Sequence, residues 1–236
     1  MNLFFHSDLT DAQFVLDSEE SRHVKAMRHQ DGDFIQITNG LGSAVTGRLT
    51  WKKHEAFIET ESSHSVPQTE NISLVMAPTK QHERMEWLLE KAVELGISEV
   101  YFVQCNNSER PIVRMDRLQR VVIAAIKQSQ RWWMPTLHAV QKFNPLIQSP
   151  FEYTQLMAHC RNEMPRTALA QHFSEDPVRI WIGPEGDFDS SEITQAQEAG
   201  FIPISLGMAR LRTETAALAA IAGMQMARTL KHANQK

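Results

Sequence analysis

VRIWIGPEGDFDSSE, residues 178–192, holds a strand, a turn and a helix start in one short run. Val178 to Ile182 is mostly apolar and has the length of a buried strand. Gly183-Pro184-Glu185-Gly186 follows it. Glycine reaches positive φ and lets a backbone approach a ligand closely, so such a turn can cradle one. Asp189-x-x-Glu192 is a capping box, and it opens a helix that runs to Ala199. Strand, turn and helix in that order argue for an α/β sheet, in which ligands sit at the carboxyl ends of the strands.

A second turn of this kind lies further along. The strand Ile202 to Leu206 runs into Gly207-Met208-Ala209-Arg210-Leu211-Arg212, and a long helix starts at Thr213 and closes at Leu230. Arg212 beside that helix start can hold a carboxylate or phosphate, helped by the free N–H groups there. Each turn taken alone reads as a tight loop. Both together, on strand ends, point to a ligand site. His159 and Cys160 end a third strand, Tyr153 to Ala158, and read as a packed strand end or as pocket lining. They lack the further ligands that zinc needs.

The same alternation extends upstream to Ile72. Ile72 to Ala77 reads as a buried strand. Met85, Leu88, Leu89, Ala92 and Val93 then recur at helical spacing, and Gly96 stops the helix. Val100 to Val103 is a strand, and Asp116 to Gln130 a helix. The expected second domain, residues 71–236, is a mostly parallel two-faced sheet. Residues 1–70 differ. Strands at Phe34–Thr38, Ala44–Leu49 and Ala56–Thr60, with a helix at Ser18–Met27, predict a small barrel. Ser62 to Gln68 reads as a linker.

Composition narrows the classes. Of 236 residues, 42% are hydrophobic and 22% charged, as in a globular protein. No run approaches the ~20 apolar residues of a membrane helix, and the acidic start does not read as a signal peptide. The expected location is the cytoplasm. Two cysteines, Cys105 and Cys160, make neither a disulfide framework nor a zinc site. No metal is expected. There is no GK[ST] for a P-loop, and the first strand of the α/β part meets Pro78-Thr79-Lys80 rather than GxGxxG, which speaks against a Rossmann site. The net charge is −4, but residues 1–70 hold six basic and eleven acidic side chains, so the remainder is slightly basic. Arg110, Arg114, Arg117, Arg120, Lys127 and Arg131 stand against Asp116 alone. Arg117, Arg120, Lys127 and Arg131 fall on one helix face, running into Trp132-Trp133. That is either a solvated face or a surface for unpaired RNA bases; the tryptophans suit core or a dimer contact equally.

These residues carry a resemblance. Ile182 to Gly186, the Glu192 helix, Leu206-Gly207 and Leu211-Arg212-Thr213-Glu214-Thr215-Ala216 closely resemble the RsmE family of SPOUT-class methyltransferases. Those enzymes methylate N3 of a uridine in 16S ribosomal RNA of the small subunit. Glu90 to Gly96, Ser108 to Arg110 and Lys127 to Arg131 also match. The resemblance spans nearly the whole chain and implies a deep trefoil-knot domain behind an N-terminal PUA-like β-barrel. It implies S-adenosylmethionine held by the loops at His159-Cys160, at Gly183, Pro184, Glu185 and Gly186, and at Leu206, Gly207 and Leu211. It implies a homodimer. Arg212 becomes the candidate for favouring the uridinate, or a phosphate anchor; Glu185 is the candidate base, or holds its turn. Arg22, Arg28, Arg110, Arg114, Arg131 and Arg210 are candidate RNA contacts. The alternatives are a SPOUT enzyme acting on a ribose 2′-hydroxyl and a non-catalytic RNA-binding module. Asp187 and Gln130 stand where the family commonly has glycine, and Ala209-Arg210 shifts an arginine by one position.

Overall fold

The structure is a computed structural model that describes residues 2–109, 112–150 and 152–233. The chain divides into two compact units, Met1–Thr69 with Val122–Met134, and Glu70–Val121 with Pro135–Lys236.

The first unit contains β1 (Leu3–Phe5), β2 (Gln13–Val15), α1 (Ser18–Ala26), β3 (Phe34–Thr38), β4 (Ser43–Lys52) and β5 (Glu55–Ser65). Its sheet has the order β1-β3-β4-β5-β2, parallel at β1–β3 and antiparallel elsewhere, consistent with the expected small barrel. Asp17 caps α1 by accepting from the Glu19 and Glu20 N–H groups, both at 2.8 Å. Alternation along the strands sends Ile35, Ile37, Val45, Leu49 and Ile58 into one core with Phe4, Leu16 and Val24. Gly47 sits at a bulge, where a Cβ would lie 2.3 Å from Ile58 Cγ2. The expected linker is half strand: Ser62 to Ser65 pair with Thr46 to Ser43. A polar run can pair in a sheet when only its backbone is used.

The second half of α3 (Met115–Ser129) and the residues after it belong to this first unit. Lys127 Nζ is ion-paired with the Glu20 carboxylate, with side chains only 14% and 5% exposed. Glu20 also accepts the Phe5 N–H. Gln130 ends the helix at φ +58°, a left-handed conformation that glycine adopts most easily. Trp133 then lies against Gly42, where a Cβ would come within 2.4 Å of the indole, and its Nε1–H donates to Val66 O. The basic face is therefore largely committed: Arg117 pairs with Glu86, Arg120 with Asp116 and Lys127 with Glu20.

The second unit contains β6 (Ile72–Met76), α2 (His82–Leu95), β7 (Glu99–Gln104), the start of α3, β8 (Thr136–Lys142), α4 (Phe143–Gln148), β9 (Thr154–Ala158), β10 (Thr167–Ala168), β11 (Val178–Ile182), α5 (Ser190–Glu198), β12 (Ile202–Ser205) and α6 (Thr213–Ala233). The sheet order is β10-β12-β9-β11-β6-β7-β8, all parallel. The mostly parallel α/β sheet expected from the sequence is the one observed. β6 and β11 are buried throughout, as central parallel strands must be. Trp181, Val75, Met157 and Val103 pack with Phe143, Phe188, Ile193 and Phe201. α6 packs on α2 and against β6 and β11. Elements β8, α4 and β10 were not anticipated.

The buried pair in the first unit gives a test. Lys127→Met leaves the Glu20 carboxylate buried without its cation and should cost about 3 kcal/mol in denaturant unfolding. Adding Glu20→Gln should recover more than half of that loss.

Candidate active site

Strand register builds the site. Ala158 pairs with Ile182 on β11 and with Ile204 on β12, so three chain segments leave the sheet side by side. Their loops and the start of α6 enclose a cavity of about 530 Å³, within the usual range for a small-molecule pocket. His159, Cys160, Gly183, Pro184, Glu185, Leu206, Gly207, Arg210, Leu211 and Arg212 all line it. Gly186 does not; it turns toward Asn107, whose Nδ2 donates to Gly186 O at 3.3 Å. A Cβ on Gly186 would lie 3.1 Å from Asn107 Cβ.

The turns are tied to one another. A Cβ on Gly183 would sit 3.0 Å from the Phe188 ring, so only glycine fits without movement. Gly183 O accepts from Thr213 Oγ1 at 3.3 Å, joining the β11 turn to α6. Glu185 Oε1 accepts the Lys80 N–H at 3.0 Å, which fixes the turn against the loop after β6. Gly207 has φ +128°. The capping box expected at Asp189 and Glu192 is complete, and Glu192 also accepts the Asn106 N–H at 2.8 Å.

Charge is unevenly satisfied around the cavity. Arg84 pairs with Glu214 at 3.2 Å, and Arg166 donates to His159 O at 2.6 Å. Arg210 and Arg212 are exposed, and among the described residues neither guanidinium has a partner. Arg84, Arg166, Asp187, Thr213 and Glu214 line the cavity without having been among the expected site residues. Arg84 and Glu214 lie 130 positions apart, so no local pattern could pair them. Asp187, noted only as standing in place of glycine, has φ +66° and lines the cavity wall.

The expected RNA contacts are divided. Arg22 and Arg28 are exposed in the first unit, Arg22 donating to Ser18 O at 3.0 Å, and Arg131 there is half-buried. Arg114 and Arg210 are exposed in the second. Arg110 lies outside the described residues. Groups of three or more metal-binding side chains are absent among the described residues, and no described helix is long and apolar enough to cross a membrane.

His159 is buried, and its Nδ1 accepts the Arg161 N–H at 3.3 Å. Among the described residues its Nε2 has no hydrogen-bond partner. Burial lowers its pKa below the ordinary 6.5; Asp187 and Glu163 oppose that, while Arg166 and Arg161 reinforce it. The folded protein thus keeps it neutral where the unfolded chain takes up a proton. Stability should fall as pH drops below about 6.5 and level off below the lowered folded value. His159→Gln should flatten that part of a melting-temperature profile between about pH 7 and 5.

Comparison with known proteins follows the same lines. The RNA methyltransferase domain family matches residues 66–225. A probable rRNA-methyltransferase from Porphyromonas gingivalis is 34% identical, with 98% of this chain and 100% of that chain covered and a TM-score of 0.90. A ribosomal RNA small subunit methyltransferase E from Neisseria gonorrhoeae, solved bound to S-adenosyl methionine, is 32% identical over 96% and 97% of the two chains, with a TM-score of 0.80. The enzyme of that name from Mesomycoplasma hyopneumoniae is 28% identical over 232 residues, 92% of this chain and 96% of that one.

Proposed function

The chain belongs to the ribosomal RNA small subunit methyltransferase E family, and we propose that it transfers the methyl group of S-adenosylmethionine to N3 of a uridine in 16S ribosomal RNA. The observation that carries this reading is the cavity where the loops after β9, β11 and β12 converge on Arg212. Its lining fits the cofactor. Ala158, Ile182, Leu206 and Leu211 offer apolar walls, the turns at Gly183 and Gly207 bring backbone close, and Arg210 offers a cation for a carboxylate. When bound, the cofactor supplies an electrophilic methyl on a sulfonium.

The protein has two tasks at the acceptor. N3 must be deprotonated or nearly so, and it must be held in line with the methyl. The exposed Arg212 guanidinium suits the first: a fixed positive charge favours the uridinate. Glu185 suits the second indirectly, because its carboxylate is engaged with the Lys80 N–H and holds the turn. N3 is a Watson–Crick atom, so the uridine must be unpaired or extruded to reach the cavity. Residues 1–70, with Arg22 and Arg28, would add RNA surface, joined by Arg110, Arg114, Arg131 and Arg210. The site of action would be the cytoplasm. The working unit would be a homodimer, because α2 and α6 expose Trp87, Met226 and Leu230, an apolar surface that a second copy could cover.

Arg212→Ala should lower transfer from labelled cofactor to unmodified small subunits by at least about 10²-fold. Its melting temperature should not change, since the exposed side chain has no partner among the described residues. Full activity in that variant would remove Arg212 from the reaction. A reverse-transcription stop at one uridine identifies N3 as the acceptor. Label without a stop identifies another atom such as a ribose hydroxyl. Absence of cofactor binding in calorimetry, with no label transferred, identifies a binding module. Sedimentation of the wild type as a monomer at micromolar concentration would overturn the dimer.

A further inference from the structure

Asp187 occupies a backbone conformation that costs it something and uses its side chain for a purpose the fold does not require. Its φ of +66° lies in the left-handed region, where aspartate is tolerated and glycine is at ease. The carboxylate reaches across to the neighbouring strand end. Oδ2 accepts the Cys160 N–H at 2.7 Å, and Oδ1 accepts the N–H of Phe188 at 2.9 Å.

The β11 turn uses this carboxylate only at the Phe188 N–H, and other contacts hold it as well. Asp187 N donates to Pro184 O at 2.9 Å, and Asn107 Nδ2 donates to Asp187 O at 3.0 Å. Phe188 is anchored in the core, and the Asp189 cap follows. The β9 end is different. Past Ala158 the chain leaves the sheet, and the carboxylate accepts the Cys160 N–H. The other carboxylates of the cavity are committed elsewhere, Glu185 to Lys80 N and Glu214 to Arg84. Removing the Asp187 side chain would therefore loosen the wall at Cys160, with Arg166 still on His159 O and Arg161 Nε still on Phe188 O, while leaving the turn that carries Asp187 in place.

We infer that Asp187 is a positioning residue for the cofactor: its carboxylate straps the His159–Cys160 wall into its binding shape before the cofactor arrives. This rests on the methyl-transfer reading above. A wall ordered in advance spares the ligand the entropy of ordering it, so the strap acts on affinity and not on the chemical step. It also acts alike on the cofactor and on its demethylated product, since both need the same wall.

The test compares Asp187→Gly and Asp187→Asn in the full chain. Glycine relieves the left-handed backbone but removes the strap; asparagine tolerates positive φ and keeps one of the two oxygen acceptors, enough to hold the Cys160 N–H at the expense of the Phe188 N–H. Calorimetry with S-adenosylmethionine and with S-adenosylhomocysteine should show both weakened about tenfold in Asp187→Gly, with a melting temperature equal to or above wild type. KM for the cofactor should rise with little change in kcat at saturation. Asp187→Asn should recover most of the affinity, and hydrogen exchange at the Cys160 amide should be fast only in the glycine variant. Wild-type affinity in Asp187→Gly overturns the proposal. So does loss confined to S-adenosylmethionine, which would mean that the charge acts on the sulfonium, or an asparagine variant as weak as glycine. A wild type that binds neither compound overturns the functional reading and this proposal with it; failure of the strap alone leaves wild-type binding intact.

Discussion

Parallel pairing of β9 with β11 and β12 puts three strand ends at one level, and the cavity exists because of it. A parallel ladder cannot be closed by a hairpin, so each strand must hand its chain to a loop at the same edge of the sheet. Those loops carry backbone donors and acceptors that the ladder no longer uses. Here they are satisfied from neighbours: Gly183 O by Thr213, the Cys160 N–H by Asp187, His159 O by Arg166. The site is thus a set of strand ends stitched to each other. Its polar side chains stitch first and are available for ligand second. Arg210 and Arg212 stand out because they take no part in the stitching.

Among the described residues, four other than glycine have left-handed backbone: Arg28, Lys53, Gln130 and Asp187. Gln130 and Asp187 have φ of +58° and +66°. A residue other than glycine has to be held in that conformation by its surroundings. Gln130 meets the demand at the end of α3, where the N–H of Arg131 returns to Ile126 O at 2.9 Å. Asp187 meets it with a side chain that can hydrogen-bond locally, which is why aspartate tolerates this region better than most residues.

Much of the second unit could be read in advance because its signals are local. β6 and β11 are short apolar runs, α2 carries its buried residues at helical spacing with Gly96 after them, and the Asp189 capping box is visible in four residues. β8 gave no such signal: it is an edge strand with a half-exposed, irregular pattern. α4 begins with Phe143-Asn144-Pro145, where proline fits a first turn yet reads as a break. Two-residue β10 is below any periodicity. The turns that line the cavity were legible because glycine turns announce themselves. Arg84 and Arg166 were not, because their places depend on partners distant along the chain. The basic face of α3 shows the same limit. Helical spacing put its charges on one side, but nothing local revealed that Glu86 and Glu20 would neutralise two of them.

Strand order also sets a timetable for synthesis. β6 lies between β7, which follows it closely, and β11, whose Val178 pairs with Ile72. One edge of β6 is therefore without its partner from the moment it emerges until the chain has grown past residue 178. At roughly 5–20 residues per second that interval is on the order of 5–20 s. An apolar strand with an open ladder is an invitation to pair with the wrong chain. The nascent protein must carry this apolar edge uncovered through nearly half of its own translation, and it buries that edge only with β11, the strand whose turn forms one wall of the cavity.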